Sequence, residues 1–154
     1  MGPTEEATDN DRRNAYELGR LIAKENWILL SGGVKAGVME EVNKGAKEAG
    51  GLTIGIIPRL DSEIAEGVDI PIITDMGSAR NNINVLSSDI VIACGIGPGT
   101  ASEIALALQR KANKPVILIN DNEESKKFFK SLRQDLIHIA KSPEEAITIA
   151  RRFT

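Results

Sequence analysis

Residues 89–103 read DIVIACGIGPGTASE, an apolar strand pattern that runs into a glycine-rich turn and then into a helix-forming sequence. Glycines let the backbone approach a ligand closely, and the first N–H groups of a helix have no partner inside that helix. A turn of this kind commonly binds phosphate. We therefore predict an anion-binding turn in which Gly95, Gly97, Gly99 and Thr100 contact the ligand.

An acidic side chain follows this turn and adds to the prediction. We place Glu103 in the first turn of the helix. A carboxylate beside an anion site repels the anion unless it faces another part of the ligand. Glu103 therefore indicates either a catalytic role or recognition of a polar head group of the ligand. Alternatively, it is an acidic residue that interacts favourably with the dipole of its helix.

Short apolar strand patterns alternate with helical patterns along the chain. Strand patterns cover residues 27–30, 52–57, 70–73, 115–119 and 136–139 as well as the strand before Gly95, and helical patterns cover 12–25, 38–49, 78–87, 101–111, 123–132 and a last segment from Pro143. This alternation predicts a three-layer α/β Rossmann-like fold with a mostly parallel sheet, and residues 1–154 form one ligand-binding domain. The caps of the first helix are expected among residues 9–11.

In such a sheet, ligands bind beyond the carboxyl ends of the strands. A second glycine loop, with Gly32, Gly33 and Gly37, follows another predicted strand, and Arg80 and Asn81 follow a third. We expect these residues to lie at the same edge as the turn at Gly95. There, the planar guanidinium of Arg80 could grip a phosphate or orient Glu103.

Composition excludes several classes of protein and partner. The net charge is −3, and the sequence has no basic stripe and no aromatic stacking platform, so no nucleic-acid partner is expected. No apolar run approaches the roughly 18 residues of a spanning helix. The single cysteine, Cys94, fits a buried core position in a cytoplasmic protein and lacks neighbours at metal-ligand spacing, so we expect no metal site. The glycines match neither a dinucleotide fingerprint nor a Walker loop.

Three motifs occur in order across about half of the chain: SGGVKAGVM at 31–39, MGSARN at 76–81 and GIGPGTASE at 95–103. Together they resemble a Rossmann-like family often called possible lysine decarboxylases, which includes the Lonely Guy cytokinin-activating phosphoribohydrolases and the molybdenum cofactor carrier proteins. Arg80-Asn81 and the residues after Glu103 are more similar to the carrier branch. The resemblance also implies a homo-dimer or homo-tetramer.

The resemblance leaves several functions open. Its carrier branch implies a binding protein for a nucleotide-like or phosphorylated pterin-type ligand such as molybdenum cofactor, with no required cofactor of its own. Its hydrolase branch implies a phosphoribohydrolase that cleaves the N-glycosidic bond of a nucleoside 5′-monophosphate, with Arg80 and Glu103 as catalytic residues. A third interpretation is an oligomeric sensor that responds to a nucleotide. Lysine decarboxylation is disfavoured, since no lysine lies in a suitable motif.

Two departures from the family pattern lead to predictions about the structure. Ile96 stands within the glycine turn, and a β-branched residue does not readily adopt positive φ. Relatives also begin with an apolar strand at the centre of the sheet, which is missing from this sequence. We therefore expect a sheet that lacks its first central strand.

Overall fold

A computed structural model describes residues 1–109, 114–120 and 122–154 of the chain. The elements in chain order are α1 (Asp9–Lys24), β1 (Leu29–Ser31), α2 (Gly37–Glu48), β2 (Thr53–Ile57), β3 (Ile70–Ile73), a 3-10 turn (Gly77–Arg80), α3 (Asn81–Ser87), β4 (Val91–Cys94), α4 (Pro98–Leu108), β5 (Val116–Ile119), α5 (Glu123–Leu132), β6 (Ile137–Ile139) and α6 (Pro143–Ala150). The predicted alternation of strands and helices is confirmed.

The strands form two parallel three-stranded sheets, in the orders β1-β2-β3 and β4-β5-β6. In the first sheet, Leu30 lies opposite Ile54 and Ile54 opposite Ile70. In the second, Ile92 lies opposite Ile117 and Ile117 opposite His138. All carboxyl ends within a sheet therefore meet at one edge, which is where the glycine loops lie.

Helices cover both faces of the second sheet, as the sequence predicts. Strand β5 is buried throughout, and its side chains alternate between two cores. Ile117 and Ile119 pack with α1, α2 and α6, whereas Val116 and Leu118 pack with α3, α4 and α5. This alternation follows from the two-residue period of a strand. It confirms a three-layer α/β arrangement.

The two sheets are separated by a gap between β1 and β4. Among the described residues, no strand pairs with both of them. Instead, Met1 lies beside β4: its terminal nitrogen donates to the Ile92 carbonyl at 2.8 Å, and Cys94 N–H donates to the Met1 carbonyl at 2.9 Å. In the part of the chain that the structure describes, Met1 therefore bonds to β4 on the side that faces β1.

Three predicted helix starts need correction. The helix predicted over 78–87 begins only at Asn81, because Gly77–Arg80 form a 3-10 turn. Helix α1 is capped by Thr8, whose hydroxyl accepts from Asp11 N–H at 3.1 Å while the Asp11 carboxylate accepts from Thr8 N–H, forming a capping box. Helix α4 begins at Pro98 after Gly97. Proline suits a first helical position because it lacks the N–H that would stay unpaired there. The end of this helix predicted at Lys111 lies outside the described residues.

Candidate functional site

A cavity of about 720 Å³ lies between the two sheets and reaches their carboxyl edge. Its polar end is formed by residues from the first glycine loop, the start of α3 and the start of α4. Seven of the predicted site residues line it: Gly32, Arg80, Asn81, Gly97, Gly99, Thr100 and Glu103. The structure thus brings together residues that are up to 71 positions apart in sequence.

Arg80 contributes a guanidinium cation to this site. Its side chain is 11% exposed, and its Nη1 lies 3.8 Å from Glu103 Oε1. Burial lowers the pKa of the guanidinium and the Glu103 carboxylate opposes that shift, but an arginine stays protonated at any physiological pH. Nη1 also donates to Asn81 Oδ1, while Nε is buried with no partner among the described residues. One donor of Arg80 therefore has no partner within the described part of the protein.

Glu103 is held from a second direction by Asn84. The side-chain amide of Asn84 donates to Glu103 Oε1 at 2.9 Å, and both residues are buried. Glu103 lies in the second turn of α4, since the helix begins at Pro98, so its predicted place in the first turn is wrong. A helix-dipole role is correspondingly weak there, because that effect falls off within the first turn. The carboxylate is instead positioned by α3.

The N-terminus of α4 lies at the polar end of the cavity. Gly97 is the N-cap and has no side-chain oxygen to satisfy the first N–H groups of the helix. The Thr100 hydroxyl is buried, with the residue 2% exposed, and has no partner among the described residues. Unpaired buried polar groups cost free energy and are usually satisfied by a ligand or water. Thr100 and Arg80 therefore offer donors to an anion at the start of α4.

Gly32 is required by its contact with Arg80. A Cβ built at Gly32 would lie 2.5 Å from Arg80 Nη2 and 2.6 Å from Met39 Sδ. The guanidinium therefore lies directly against the backbone of the first glycine loop. A hydrogen bond from Gly33 N–H to the Ser31 hydroxyl, at 3.1 Å, and one from Asn43 to the same hydroxyl, at 2.8 Å, hold that loop.

Three glycines predicted to contact the ligand lie outside the cavity lining: Gly33, Gly37 and Gly95. All three have positive φ. A Cβ would lie 2.8 Å from Gly55 Cα at Gly33, 2.2 Å from the Thr4 carbonyl at Gly37 and 2.7 Å from Asp11 at Gly95. These glycines therefore serve turns and close packing of the chain against itself. The turn takes its positive φ at Gly95, so Ile96 is accommodated without strain.

Cys94, predicted to be a core residue, and His138 lie in structural surroundings. Cys94 is buried, and burial raises the pKa of its thiol to about 12. His138 packs against Phe153. Among the described residues, no cluster of three or more His, Cys, Asp or Glu side chains could hold a metal ion, and no helix is long and apolar enough to cross a membrane.

Sequence reasoning missed two polar residues of the site, Asn84 and Ser102. Asn84 holds Glu103, and the Ser102 hydroxyl accepts from Asn81 Nδ2 at 3.3 Å. The signal for Asn84 was its spacing, because residues four apart share a helix face and Asn84 follows Arg80 by that interval. That spacing alone does not predict the contact with Glu103, because the contact also depends on α3 packing against α4.

Comparisons with known proteins agree with this fold. Residues 1–147 match the model of the SLOG cluster4 family, LDcluster4. The structure of the molybdenum cofactor binding protein from the phototrophic bacterium Rippkaea orientalis is 56% identical, with a TM-score of 0.94, and covers 99% of this chain and 93% of that one. The Moco carrier protein of Chlamydomonas reinhardtii is 51% identical, with a TM-score of 0.92 and the same coverage.

A more distant relative is an enzyme. The chain is 32% identical over 118 residues to the cytokinin riboside 5′-monophosphate phosphoribohydrolase of Rhodococcoides fascians. That match covers 71% of this chain and 59% of the enzyme. The identity is lower and the coverage shorter than for the two cofactor-binding proteins.

Proposed function

Because the chain belongs to the SLOG cluster4 family, we propose that it binds and carries a phosphate-bearing, pterin-type ligand such as molybdenum cofactor. The phosphate lies at the start of α4, and the rest of the ligand extends along the cavity past Arg80. Similarity to two cofactor-binding proteins over nearly the whole chain supports this ligand class.

One observation carries the proposal. Two buried donors without partners among the described residues, Arg80 Nε and the Thr100 hydroxyl, belong to residues that line the cavity near the uncapped start of α4. The acceptor Asn84 Oδ1 of the same lining also has no partner among the described residues. A phosphate accepts from both kinds of donor and from backbone N–H groups at once. Its binding would satisfy groups that otherwise lower the stability of the folded chain.

The position of Glu103 favours a carrier over an enzyme. Its Oε1 accepts from Asn84 and lies 3.8 Å from Arg80 Nη1, so the carboxylate has both a hydrogen-bond donor and a cation beside it within the protein. A carrier needs a site that binds an anion without cleaving it, and pairing Glu103 reduces its repulsion of the ligand. Glu103→Ala should then leave ligand affinity within a few-fold of the parent.

Phosphoribohydrolase activity is the second candidate. Arg80 and Glu103 are both present and 3.8 Å apart, and the curated relative named above is such an enzyme. A carboxylate near the ribose could stabilise the positive charge that develops as the N-glycosidic bond breaks. This activity predicts that Glu103→Ala abolishes turnover while ligand binding survives.

A single experiment separates the two functions. The parent and Glu103→Ala are incubated with a panel of nucleoside 5′-monophosphates, and free base is measured by chromatography. In parallel, ligands that co-purify with each protein are released and analysed for pterins. Co-purifying pterin and no free base from either protein is the result expected of a carrier. Base released by the parent and not by the variant would establish the hydrolase instead.

A charge variant tests the phosphate site directly. Arg80→Met should weaken binding of a phosphorylated pterin by about 100-fold, because a buried charge-assisted hydrogen bond contributes about 1.5–3 kcal/mol. Arg59→Met is the matched control, since the Arg59 side chain is 71% exposed and outside the cavity. Equal affinities for the two variants would contradict the phosphate assignment.

We propose in addition that the chain forms homo-oligomers through β3 and its surroundings. Every residue of β3 is exposed, and Ile70, Ile72 and Ile73 each expose about half of their surface. Exposed apolar side chains grouped in this way commonly mark a protein interface. Size-exclusion chromatography with light scattering tests it, and Ile72→Asp should shift an oligomer to monomer.

A further inference from the structure

Asn84 lines the cavity, and its Oδ1 is a buried acceptor without a partner among the described residues. We propose that Asn84 determines which ring system the site accepts, because Oδ1 accepts a hydrogen bond from an N–H group on the ring of the ligand. The inference rests on the proposed function, since it assigns a second contact of the same ligand. It extends that function from the phosphate to the ring, which carries an N–H donor as aminated and lactam heterocycles do.

The contact with Glu103 fixes which end of the Asn84 amide remains unpaired. Nδ2 of Asn84 lies 2.9 Å from Glu103 Oε1. An ionised carboxylate only accepts hydrogen bonds, so the NH₂ group has to face Glu103 and the carbonyl oxygen has to face away from it. Turning the amide over would bring two acceptors together. The group that Asn84 offers to a ligand is therefore an acceptor and not a donor.

Two contacts at the end of α3 hold Asn84 in this place. The Ser88 hydroxyl donates to the backbone carbonyl of Asn84 at 2.7 Å. The Lys114 ammonium donates to the carbonyl of Leu86, also at 2.7 Å, and to that of Ser88. These bonds satisfy carbonyls that have no partner inside the helix. The helix is thus fixed at the end beyond Asn84, and the acceptor keeps its position on the cavity wall.

This acceptor lies about one helical turn from the donors that we assign to the phosphate. Arg80 precedes Asn84 by four residues, so the two share one face of α3 and are about 6 Å apart along its axis. Both residues and Thr100 line the same cavity. The unpaired donors of Arg80 and Thr100 and the unpaired acceptor of Asn84 therefore fit a ligand with an anionic end and, several ångströms away, a ring N–H.

A buried acceptor discriminates between ring systems. It lowers the stability of the complex when the ligand leaves it unpaired, and a ring N–H removes that penalty. Sites built to bond a polar group of the ligand reject analogues that lack the group. We therefore expect the Asn84 contact to contribute a preference of at least about ten-fold for a ring that has an N–H donor.

The test compares two probes, 6-hydroxymethylpterin phosphate and 6-hydroxymethylpteridine phosphate, whose unsubstituted ring has no N–H. Calorimetry gives the preference for the pterin as the ratio of the two affinities. In Asn84→Leu, which removes the acceptor at similar volume, this preference should fall at least about ten-fold below that of the parent. Asn84→Ala repeats the test with a smaller side chain in case leucine prevents folding, and melting curves show which variants are folded.

A double variant separates the acceptor from the support that Asn84 gives to Glu103. In Asn84→Asp/Glu103→Gln, the new amide donates to the new carboxylate, whose second oxygen stays available as an acceptor. The preference for the pterin should therefore return towards that of the parent. Such a return would not occur if Asn84 acted only by orienting the carboxylate of Glu103.

The outcomes that overturn the inference are distinct from those that overturn the proposed function. An unchanged preference in Asn84→Leu or Asn84→Ala would show that Oδ1 does not contact the ring. A preference lost in these variants and absent from the double variant would assign the effect to Glu103. Failure of the parent to bind either phosphorylated probe would overturn the proposed function and the inference with it, whereas equal binding of both probes by the parent would overturn the inference alone.

Discussion

Asn84 on α3 donates its side-chain amide to Glu103 on α4 at 2.9 Å, and this bond joins the two helices across the wall of the candidate site. The carboxylate would otherwise be buried with Arg80 as its nearby charge, 3.8 Å away. A buried charge is stable only when paired and hydrogen-bonded. Asn84 therefore decides both the orientation of Glu103 and the electrostatic character of the cavity.

Asn84→Ala should lower the free energy of unfolding by about 2 kcal/mol, because it removes a buried hydrogen bond to a charged acceptor. Urea denaturation measures this change. Ser87→Ala, at an exposed position of the same helix, is the matched control and should be neutral within about 0.5 kcal/mol. A similar loss in both variants would mean that α3, and not the bond to Glu103, is responsible.

Gly32→Ala should preserve the fold and weaken ligand binding by about ten-fold, or 1.4 kcal/mol. The added Cβ would lie 2.5 Å from Arg80 Nη2, and this flexible side chain would move away rather than the backbone. Titration with a phosphorylated pterin measures the loss. Gly99→Ala is the control for stability, since nothing lies within 4 Å of a Cβ there. Unchanged affinity in Gly32→Ala would show that the position of Arg80 is not needed for binding.

Thr100→Val should change stability and binding in opposite directions. It removes a buried hydroxyl that has no partner among the described residues, so the ligand-free protein gains about 1 kcal/mol. The same change removes a donor to the anion and weakens its binding. Thermal melts with and without ligand measure both effects. Thr148→Val is the control, because its hydroxyl is exposed and donates to Glu144 O. A destabilised ligand-free Thr100→Val protein would contradict the assignment.

Asp69 makes stability depend on pH. A hydrogen bond from Lys47 holds the pKa of the Asp69 carboxyl below its usual range; burial opposes that shift, and bonds from Thr53 assist it. A lowered folded-state pKa means that the contribution is complete above the unfolded value of about 3.9 and is lost as pH falls through the folded value. Denaturation midpoints from pH 6 to pH 2 should therefore decline less in Asp69→Asn than in the parent. Equal declines in the two proteins would show that the Asp69 carboxyl does not contribute to the pH dependence of stability.

Local sequence patterns were sufficient for most of the fold. Strand β3 and helix α5 have the predicted bounds. An apolar run predicts the strand and a 3.6-residue period of apolar residues predicts the helix, and both patterns can be read from residues that are neighbours in the chain. Helix α1 was predicted to begin at Arg12 but begins at Asp9. Several polar residues nearby can cap a helix, and the capping box of Thr8 and Asp11 selects Thr8 as the cap. Helix ends depend on such small differences in capping.

The candidate site likewise has features that the sequence predicts and features that depend on the tertiary structure. The sequence by itself determined that glycine loops follow the strands and that Arg80, Thr100 and Glu103 come near one sheet edge, because parallel strands bring their carboxyl ends together. Only the tertiary structure decided that Asn84 holds Glu103, that Gly95 packs on Asp11, and that β1 and β4 face each other across a gap. These relationships depend on which helices and strands cross in space, and sequence spacing carries no record of distances between elements that are not neighbours in the chain.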